Sequence, residues 1–213
     1  MNNSDWEKLE PLGGIPVDAA LLKTIFSDHA SPSNKIEELC RKGLLTRVRR
    51  GLYTVAPKIS HKPIERLLVA NHLYGPSYVS FETAMEFHGM IPERVFTVVS
   101  STPRRTKRYS TELGRYQYNH VPPEYFRVGI KLESSETGNY MIASPEKALC
   151  DYLMLLSNLR IQSTQSMRAF LEDFLRIDMD IVASFDTHII RACIETGRKK
   201  ITLTQLLEVV QNG

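Results

Sequence analysis

The N-terminal part of the chain alternates between apolar stripes at helical spacing and short tracts of turn-forming residues. Apolar residues recur every four positions between Val17 and Ile25, which predicts a helix over 17–26. A tract rich in Ser, Asp and Pro follows and breaks that pattern. A second apolar stripe predicts a helix over 33–42, which ends at Gly43 because glycine is the preferred residue just beyond a helix C-terminus.

Two β-prone runs follow the second helix at once. They cover residues 45–49 and 52–55 and are joined across Arg50-Gly51, which is typical of a short β-hairpin. Two helices followed directly by a basic hairpin is the element order of a winged helix-turn-helix. Such a domain has a further helix before residue 17, and only residues 4–9 could supply one, of one or two turns.

The rest of the chain mixes helical and β-prone segments. Helices are predicted over 63–75 and 81–88, and strands over 95–100, 115–120, 126–132 and 139–142. Ser144-Pro145-Glu146 combines a capping residue, a first-turn proline and an acid at the positive end of the helix dipole, so a strong helix begins there. Helical patterns continue over 166–176, 186–196 and 202–210.

These patterns together predict an α+β protein of two domains. The first is a winged-helix DNA-binding domain over residues 1–57. The second is a larger α+β domain over residues 58–213, with a modest sheet and a helical C-terminus. A length of 213 residues is compatible with two small domains.

Composition excludes several classes of protein. With 42% hydrophobic and 24% charged residues, the chain is neither disordered nor collagen-like. No apolar run approaches the roughly 18 residues of a membrane span. The N-terminus also lacks the basic and then apolar stretches of a signal peptide, so we expect a cytoplasmic protein with no membrane partner. The three widely spaced cysteines are expected to be buried, reduced thiols.

The positive charge is concentrated in two stretches of the first 131 residues. Residues 35–58 hold seven bases and two acids, and residues 93–131 hold eight bases and three acids. From residue 132 onward the balance reverses to eight bases and eleven acids. Segregation of this kind favours a polyanionic partner, although a solvated basic face is the commoner origin of a charge run.

The candidate DNA-binding residues lie in the first basic stretch and in the two positions just before it. They are Ser33, Asn34 and Lys35 at the start of the second helix, Arg41 and Lys42 at its end, and Arg47, Arg49 and Arg50 in the hairpin. The N-terminal residues of a recognition helix reach base edges in the major groove, and hairpin arginines contact phosphates. The alternative is a basic, solvent-exposed hairpin on a small helical subdomain, and Glu37 and Glu38 on the helix count against tight base readout.

The second basic stretch contains a dense cluster. Arg104, Arg105, Lys107 and Arg108 are four bases within five residues. We expect this cluster to serve the function of the second domain or to form a second basic patch that faces a nucleic acid, and an ordinary solvated loop is the alternative.

Catalytic motifs are absent from the sequence. Ser144-x-x-Lys147 matches a short pattern of penicillin-recognising enzymes, but the partner motifs S-D-N and K-T-G are missing. The six histidines have no HxxxH or HExxH spacing, and no phosphate-binding glycine loop occurs. We therefore expect no catalytic residue, no metal and no cofactor.

Three sequence pieces resemble the AbiEi-type antitoxins. They are Lys35–Leu45 with Arg47–Tyr53, Tyr78–Ala84 with His88-Gly89, and Ile142–Asp151. The pieces occur in the family's order and are spread over residues 34–156, whereas the region after Leu156 carries no matching motif.

The resemblance implies an antitoxin and transcriptional autorepressor of an abortive-infection, type IV toxin–antitoxin operon. It implies that the winged helix binds inverted repeats in the protein's own promoter. It also implies that the larger domain counters a nucleotidyltransferase-like toxin, in several family systems without a stable complex between the two proteins.

Two other function classes stay open. One is a winged-helix regulator whose C-terminal domain senses a ligand or a partner unrelated to any toxin. The other is an enzyme or nucleic-acid-processing factor that uses the cluster Arg104–Arg108.

Overall fold

The computed structural model describes residues 3–157 and 161–212. Helices and strands are both abundant, and the strands form two sheets, so the predicted α+β class is confirmed. Residues 1, 2, 158–160 and 213 of the two predicted domains lie outside the described residues.

Helices and strands are interspersed up to β9, and the described residues after β9 contain the helices α8–α12. The helices are α1 (Asn3–Leu9), α2 (Ala19–Ile25), α3 (Pro32–Arg41), α4 (Pro57–Ser60), α5 (Arg66–Leu73), α6 (Phe81–Phe87), α7 (Pro123–Phe126), α8 (Pro145–Leu155), α9 (Thr164–Ala169), α10 (Met179–Ala183), α11 (Thr187–Thr196) and α12 (Lys200–Asn212). The strands are β1 (Pro16–Asp18), β2 (Leu45–Arg49), β3 (Leu52–Val55), β4 (Tyr78–Val79), β5 (Thr97–Thr102), β6 (Lys107–Thr111), β7 (Gly114–His120), β8 (Ile130–Ser135) and β9 (Gly138–Ala143). A π-helical turn over Phe170–Phe174 follows α9.

The chain divides into two compact units. The N-terminal unit comprises the residues up to Gly75 together with Tyr109–Arg115 and Glu133–Tyr140. The C-terminal unit comprises Pro76–Arg108, Tyr116–Leu132 and Met141–Gly213.

The N-terminal unit contains a three-stranded antiparallel sheet and the helices α1–α5. Its strand order is β1-β3-β2. Apolar residues from α1, α2, α3 and all three strands form one core, whose members are Leu9, Val17, Leu22, Phe26, Ile36, Leu39, Leu44, Leu45, Tyr53, Val55 and Ile59. The helices and the hairpin predicted from the sequence therefore bury their apolar sides against one another.

The start of the first predicted helix is wrong. Val17 lies in β1, where it pairs with Tyr53 of β3 instead of opening a helix. The helix begins two residues later because the Asp18 carboxylate accepts a hydrogen bond from the backbone N–H of Leu21 at 2.7 Å and caps α2. The short segment before residue 17 does form a helix, α1.

The second sheet has six strands in the order β6-β7-β5-β4-β9-β8. At its centre, β4 pairs antiparallel with β5 and parallel with β9. Within the C-terminal unit, α6 and α11 pack against α8, and α12 packs against α9 and α11.

The predicted start of α8 is confirmed, but the Ser144 side chain does not make the expected capping hydrogen bond. Ser144 occupies the N-cap position and Pro145 the first helical position. The Ser144 hydroxyl donates to the Glu146 carboxylate at 2.8 Å and makes no capping hydrogen bond to a backbone N–H. In contrast, β6 was not predicted, because its sequence is dominated by exposed bases and polar residues.

Candidate nucleic-acid interface

The start of α3 is exposed and well capped. Ser31 is the N-cap residue, and its hydroxyl accepts from the backbone N–H of Asn34 at 3.4 Å. Ser33 and Asn34 are both exposed, while Ile36 and Leu39 turn the opposite face of the helix into the core. Two of the three residues predicted to contact base edges therefore lie on the accessible surface.

Lys35 has a different environment from its two neighbours. Its side chain is only 9% exposed, and its ammonium Nζ lies 2.8 Å from Asp5 Oδ2 in α1. The hydrogen bond from Lys35 to Asp5 raises the pKa of the lysine above its usual value. The contact links α3 to α1, so the charge of Lys35 is satisfied inside the N-terminal unit.

Replacement of Lys35 by Ala is expected to lower stability by about 1–2 kcal/mol, because it leaves the Asp5 carboxylate without its charged donor. Denaturant unfolding measures this loss. If Lys35→Ala instead leaves stability unchanged and weakens binding only to specific DNA, the lysine reads bases and the pair with Asp5 has no structural importance.

Arg47 and Arg50 project from the β2–β3 hairpin. The Arg47 guanidinium lies 3.4 Å from the Tyr53 hydroxyl and 5.6 Å from the centre of the Tyr53 ring. The hydrogen bond to Tyr53 raises the pKa of Arg47, and the Arg47 side chain stays exposed. Arg50 is exposed in the turn beside Gly51, whose φ of 82° favours glycine.

A bulge in β2 separates Arg49 from Arg47. The pairing register with β3 shifts between these two arginines. The Arg49 Nε donates to the carbonyl of Leu73 at 3.0 Å, and its Nη1 donates to the carbonyl of Arg50. Simple strand alternation places both arginines on one face, but a bulge redirects side chains in its strand.

A groove of about 320 Å³ joins α2, α3 and the hairpin. Its polar and charged lining residues are Lys23, Ser33, Glu37, Arg47, Arg50 and Tyr53. Three bases and one acid give this concave surface, which we call the basic groove, a net positive charge. A site of this kind attracts the phosphates of a nucleic acid and presents a serine beside them.

Lys23 is the residue of the basic groove that the sequence alone did not indicate. It is the single base in the predicted helix over 17–26, and this is the only sequence signal it gives. Of the predicted DNA-binding residues, the groove brings together Ser33, Arg47 and Arg50.

Arg41 and Lys42 lie outside the groove lining, at the C-terminal end of α3. Both are exposed, and the Lys42 ammonium pairs with Glu38 one turn earlier on the helix. Both charges therefore lie apart from the three bases of the basic groove.

The second basic cluster lies in the C-terminal unit. Arg104, Arg105, Lys107 and Arg108 are all exposed. The segment before β6 is ordered by hydrogen bonds to β5 and β7: the N–H of Arg104 donates to Thr102 Oγ1, and the N–H of His120 donates to Thr106 Oγ1. The cluster is thus a fixed surface feature.

Two of the sequence pieces quoted above meet in a buried polar network of the C-terminal unit. Asp151 Oδ2 accepts from the hydroxyls of Tyr78, Ser80 and Ser101, at 2.9, 2.6 and 2.8 Å. Asp151 Oδ1 lies 3.0 Å from Lys147 Nζ, and both side chains are fully buried. Lys147 also donates to the backbone carbonyl of Tyr125 at 3.1 Å.

This network joins α8 to the central strands β4 and β5. Burial raises the pKa of Tyr78 well above its usual value, and the nearby Asp151 charge adds to the shift. Tyr78 therefore remains a neutral hydrogen-bond donor. The serine, lysine and aspartate of these pieces act in packing, where charge and hydrogen-bonding capacity are matched without solvent.

Comparison with known proteins assigns no family. No protein-family model matches the chain, and no curated protein matches it significantly. Among residues 3–157 and 161–212, every helix is too short or too polar to cross a membrane. The same residues contain no group of three or more His, Cys, Asp or Glu side chains placed to hold a metal ion.

Proposed function

We propose that this protein is a DNA-binding transcriptional autorepressor. The observation that carries the proposal is the basic groove, in which cations from α2 and from the hairpin converge beside the exposed start of α3. Phosphate contacts from such cations position a duplex, and a helix start beside them is where base contacts are made.

The order of elements supports a winged helix-turn-helix in the N-terminal unit. Helices α2 and α3 pack together and are followed by the β2–β3 hairpin, while β1 adds a third strand to that hairpin. In this assignment α3 is the recognition helix and the hairpin is the wing.

We further propose an antitoxin role, which rests on the resemblance of the three sequence pieces to the AbiEi-type antitoxins. The protein would then bind inverted repeats in its own promoter and counter a nucleotidyltransferase-like toxin through its C-terminal unit. The alternative is a winged-helix regulator whose C-terminal unit senses a ligand or a partner unrelated to any toxin.

Gel-shift titration with the DNA upstream of the protein's own gene tests the DNA-binding proposal. Tighter binding to this fragment than to random DNA, with affinity falling steeply as salt increases, is the expected result. Equal affinity for both DNAs would show that the protein binds DNA without sequence specificity, and this would contradict the proposed repressor function.

The antitoxin role predicts a separable function for the second basic cluster. Changing Arg104, Arg105, Lys107 and Arg108 to Gln is expected to abolish rescue of growth when the neighbouring toxin gene is co-expressed. Repression of a promoter reporter by the same variant should survive, because the basic groove is intact. Exposed charges contribute little to folding, so the melting temperature should change little.

A folded Gln variant that still rescues growth would show that the cluster is an ordinary solvated surface. An equal change of charge at Arg127, Lys131, Arg176 and Arg191, four other exposed bases of the C-terminal unit, is the matched control and should rescue growth fully.

A further inference from the structure

One acid lies in the basic groove among three basic residues. Glu37 lines the groove together with Lys23, Arg47 and Arg50, and its side chain is exposed. Among residues 3–157 and 161–212, its carboxylate accepts no hydrogen bond and forms no ion pair. A carboxylate repels phosphates, so it weakens a surface whose only task is to hold a DNA backbone. Its position therefore points to a contact with another group of the duplex.

The next acid of α3 has a different environment. The Glu38 carboxylate pairs with Lys35, at 3.7 Å, and with Lys42. Successive residues of a helix point about 100° apart, and Glu38 does not line the groove. Glu38 is thus neutralised by lysines of its own helix, whereas Glu37 keeps its charge for a partner outside the protein.

Glu37 lies on the face of α3 that Ser33 presents to the groove. The two residues are four positions apart, which places them one above the other on the same side of the helix. Ile36 and Leu39 are buried on another side, so packing fixes this orientation. Glu37 also lies within the first two turns of α3, the part of a recognition helix that contacts base edges.

Arg47 interacts with Glu37 only through space. The hydrogen bond to Tyr53 raises the pKa of Arg47, and the Glu37 charge adds to the rise. The hydrogen-bond partner of the guanidinium is the Tyr53 hydroxyl, so the arginine does not occupy the carboxylate. A role of Glu37 in positioning Arg47 is the alternative, and it predicts an equal effect on affinity for every DNA sequence, because phosphate contacts carry no sequence information.

The chemistry of a carboxylate restricts which nucleobase it can recognise. An ionised carboxylate only accepts hydrogen bonds, so its partner on DNA must be an amino group. In the major groove these groups are cytosine N4 and adenine N6, and the N7 acceptor beside adenine N6 repels a carboxylate. The amino group of guanine lies in the minor groove, which is too narrow for an α-helix. Cytosine is therefore the nucleobase that suits Glu37.

We propose that Glu37 is a specificity-determining residue, which selects a C·G base pair by accepting a hydrogen bond from cytosine N4 in the major groove. This inference rests on the proposed DNA-binding function and deepens it, because it names a nucleobase that the operator contains. The three basic residues of the groove hold the phosphates, and Glu37 disfavours any duplex that presents an acceptor in place of the cytosine amino group.

Selection of duplexes from a random pool tests the inference with the full-length protein. The wild type should enrich a motif with C at one position of each bound site. Glu37→Gln should change the preferred nucleobase there from C to A, because a glutamine amide binds N6 and N7 of adenine. Competitive gel shifts between two duplexes that differ only at that base pair should show at least about a fivefold preference for C in the wild type, and its loss or reversal in the variant.

Glu38→Gln is the matched control for this experiment. It removes the same charge from the next position of the same helix, and it should leave the preferred nucleobase unchanged at every position of the motif. Glutamine is a good helix former, so both variants should fold, and their melting temperatures check this.

The outcomes separate the inference from the proposed function. If the wild type enriches a motif and Glu37→Gln enriches the same motif, with or without a uniform loss of affinity, the inference is overturned while specific DNA binding stands. Equal changes of the motif in the two variants would also overturn the inference, because they would be an effect of charge alone. If the wild type enriches no motif, the inference and the proposed repressor function both fail.

Discussion

Replacement of Asp151 by Ala is expected to destabilise the protein by about 3–5 kcal/mol, which is a large part of the stability of a typical domain. The change leaves the Lys147 ammonium buried without its counter-charge, 3.0 Å from the vacated carboxylate position. It also leaves the hydroxyls of Tyr78, Ser80 and Ser101 without their acceptor. Denaturant unfolding followed by circular dichroism measures the loss.

The double variant Lys147→Met, Asp151→Leu is the matched control for this prediction. It removes both charges at once and should be less destabilising than Asp151→Ala, since a buried ion pair can be replaced by apolar side chains at small cost. A single variant that costs less than about 1 kcal/mol would mean that water reaches the network and that its charges are solvated.

Simultaneous change of Lys23, Arg47 and Arg50 to Gln is expected to weaken DNA binding at least about a hundredfold. Each lost phosphate contact costs about 1 kcal/mol or more and lowers the slope of log affinity against log salt by about one unit. Specific and random DNA should lose affinity together, because phosphate contacts carry no sequence information. Gel shifts at several salt concentrations measure both quantities.

The control for the groove variant keeps the change in net charge and moves it elsewhere. Arg127, Lys131 and Arg191 are exposed bases of the C-terminal unit, and their change to Gln should leave both affinity and salt slope nearly intact. If the two triple variants lose affinity equally, DNA responds to overall charge, and the basic groove is not its binding surface.

Within the N-terminal unit, the three residues at the start of α3 have different environments. Ser33 lines the groove and Asn34 is exposed at the helix start, whereas Lys35 is tied to Asp5. Under the proposed function, base contacts at the helix start are expected from the first two residues, whereas Lys35 links α3 to α1 through its pair with Asp5.

Local sequence patterns determined the elements that depend on nearest neighbours. The hairpin bounds 45–49 and 52–55 are confirmed because β-branched and apolar residues flank a glycine turn. The start of α8 is confirmed because a serine, a proline and an acid coincide there. Of the three cysteines expected to be buried, Cys150 and Cys193 are buried free thiols, whereas Cys40 is only half-buried. The hairpin and the start of α8 are each set by residues within a few positions of one another.

Tertiary structure alone decided which charges and hydroxyls meet. Val17 reads as helical by its spacing, yet its pairing with Tyr53 makes it a strand residue. Lys23 joins Arg47 and Arg50 only because α2 packs beside the hairpin. Asp151 receives hydroxyls from residues 50 to 73 positions away. Side-chain periodicity records which face of an element is buried, but the partner of that face depends on contacts between distant segments, and these contacts leave no local pattern in the sequence.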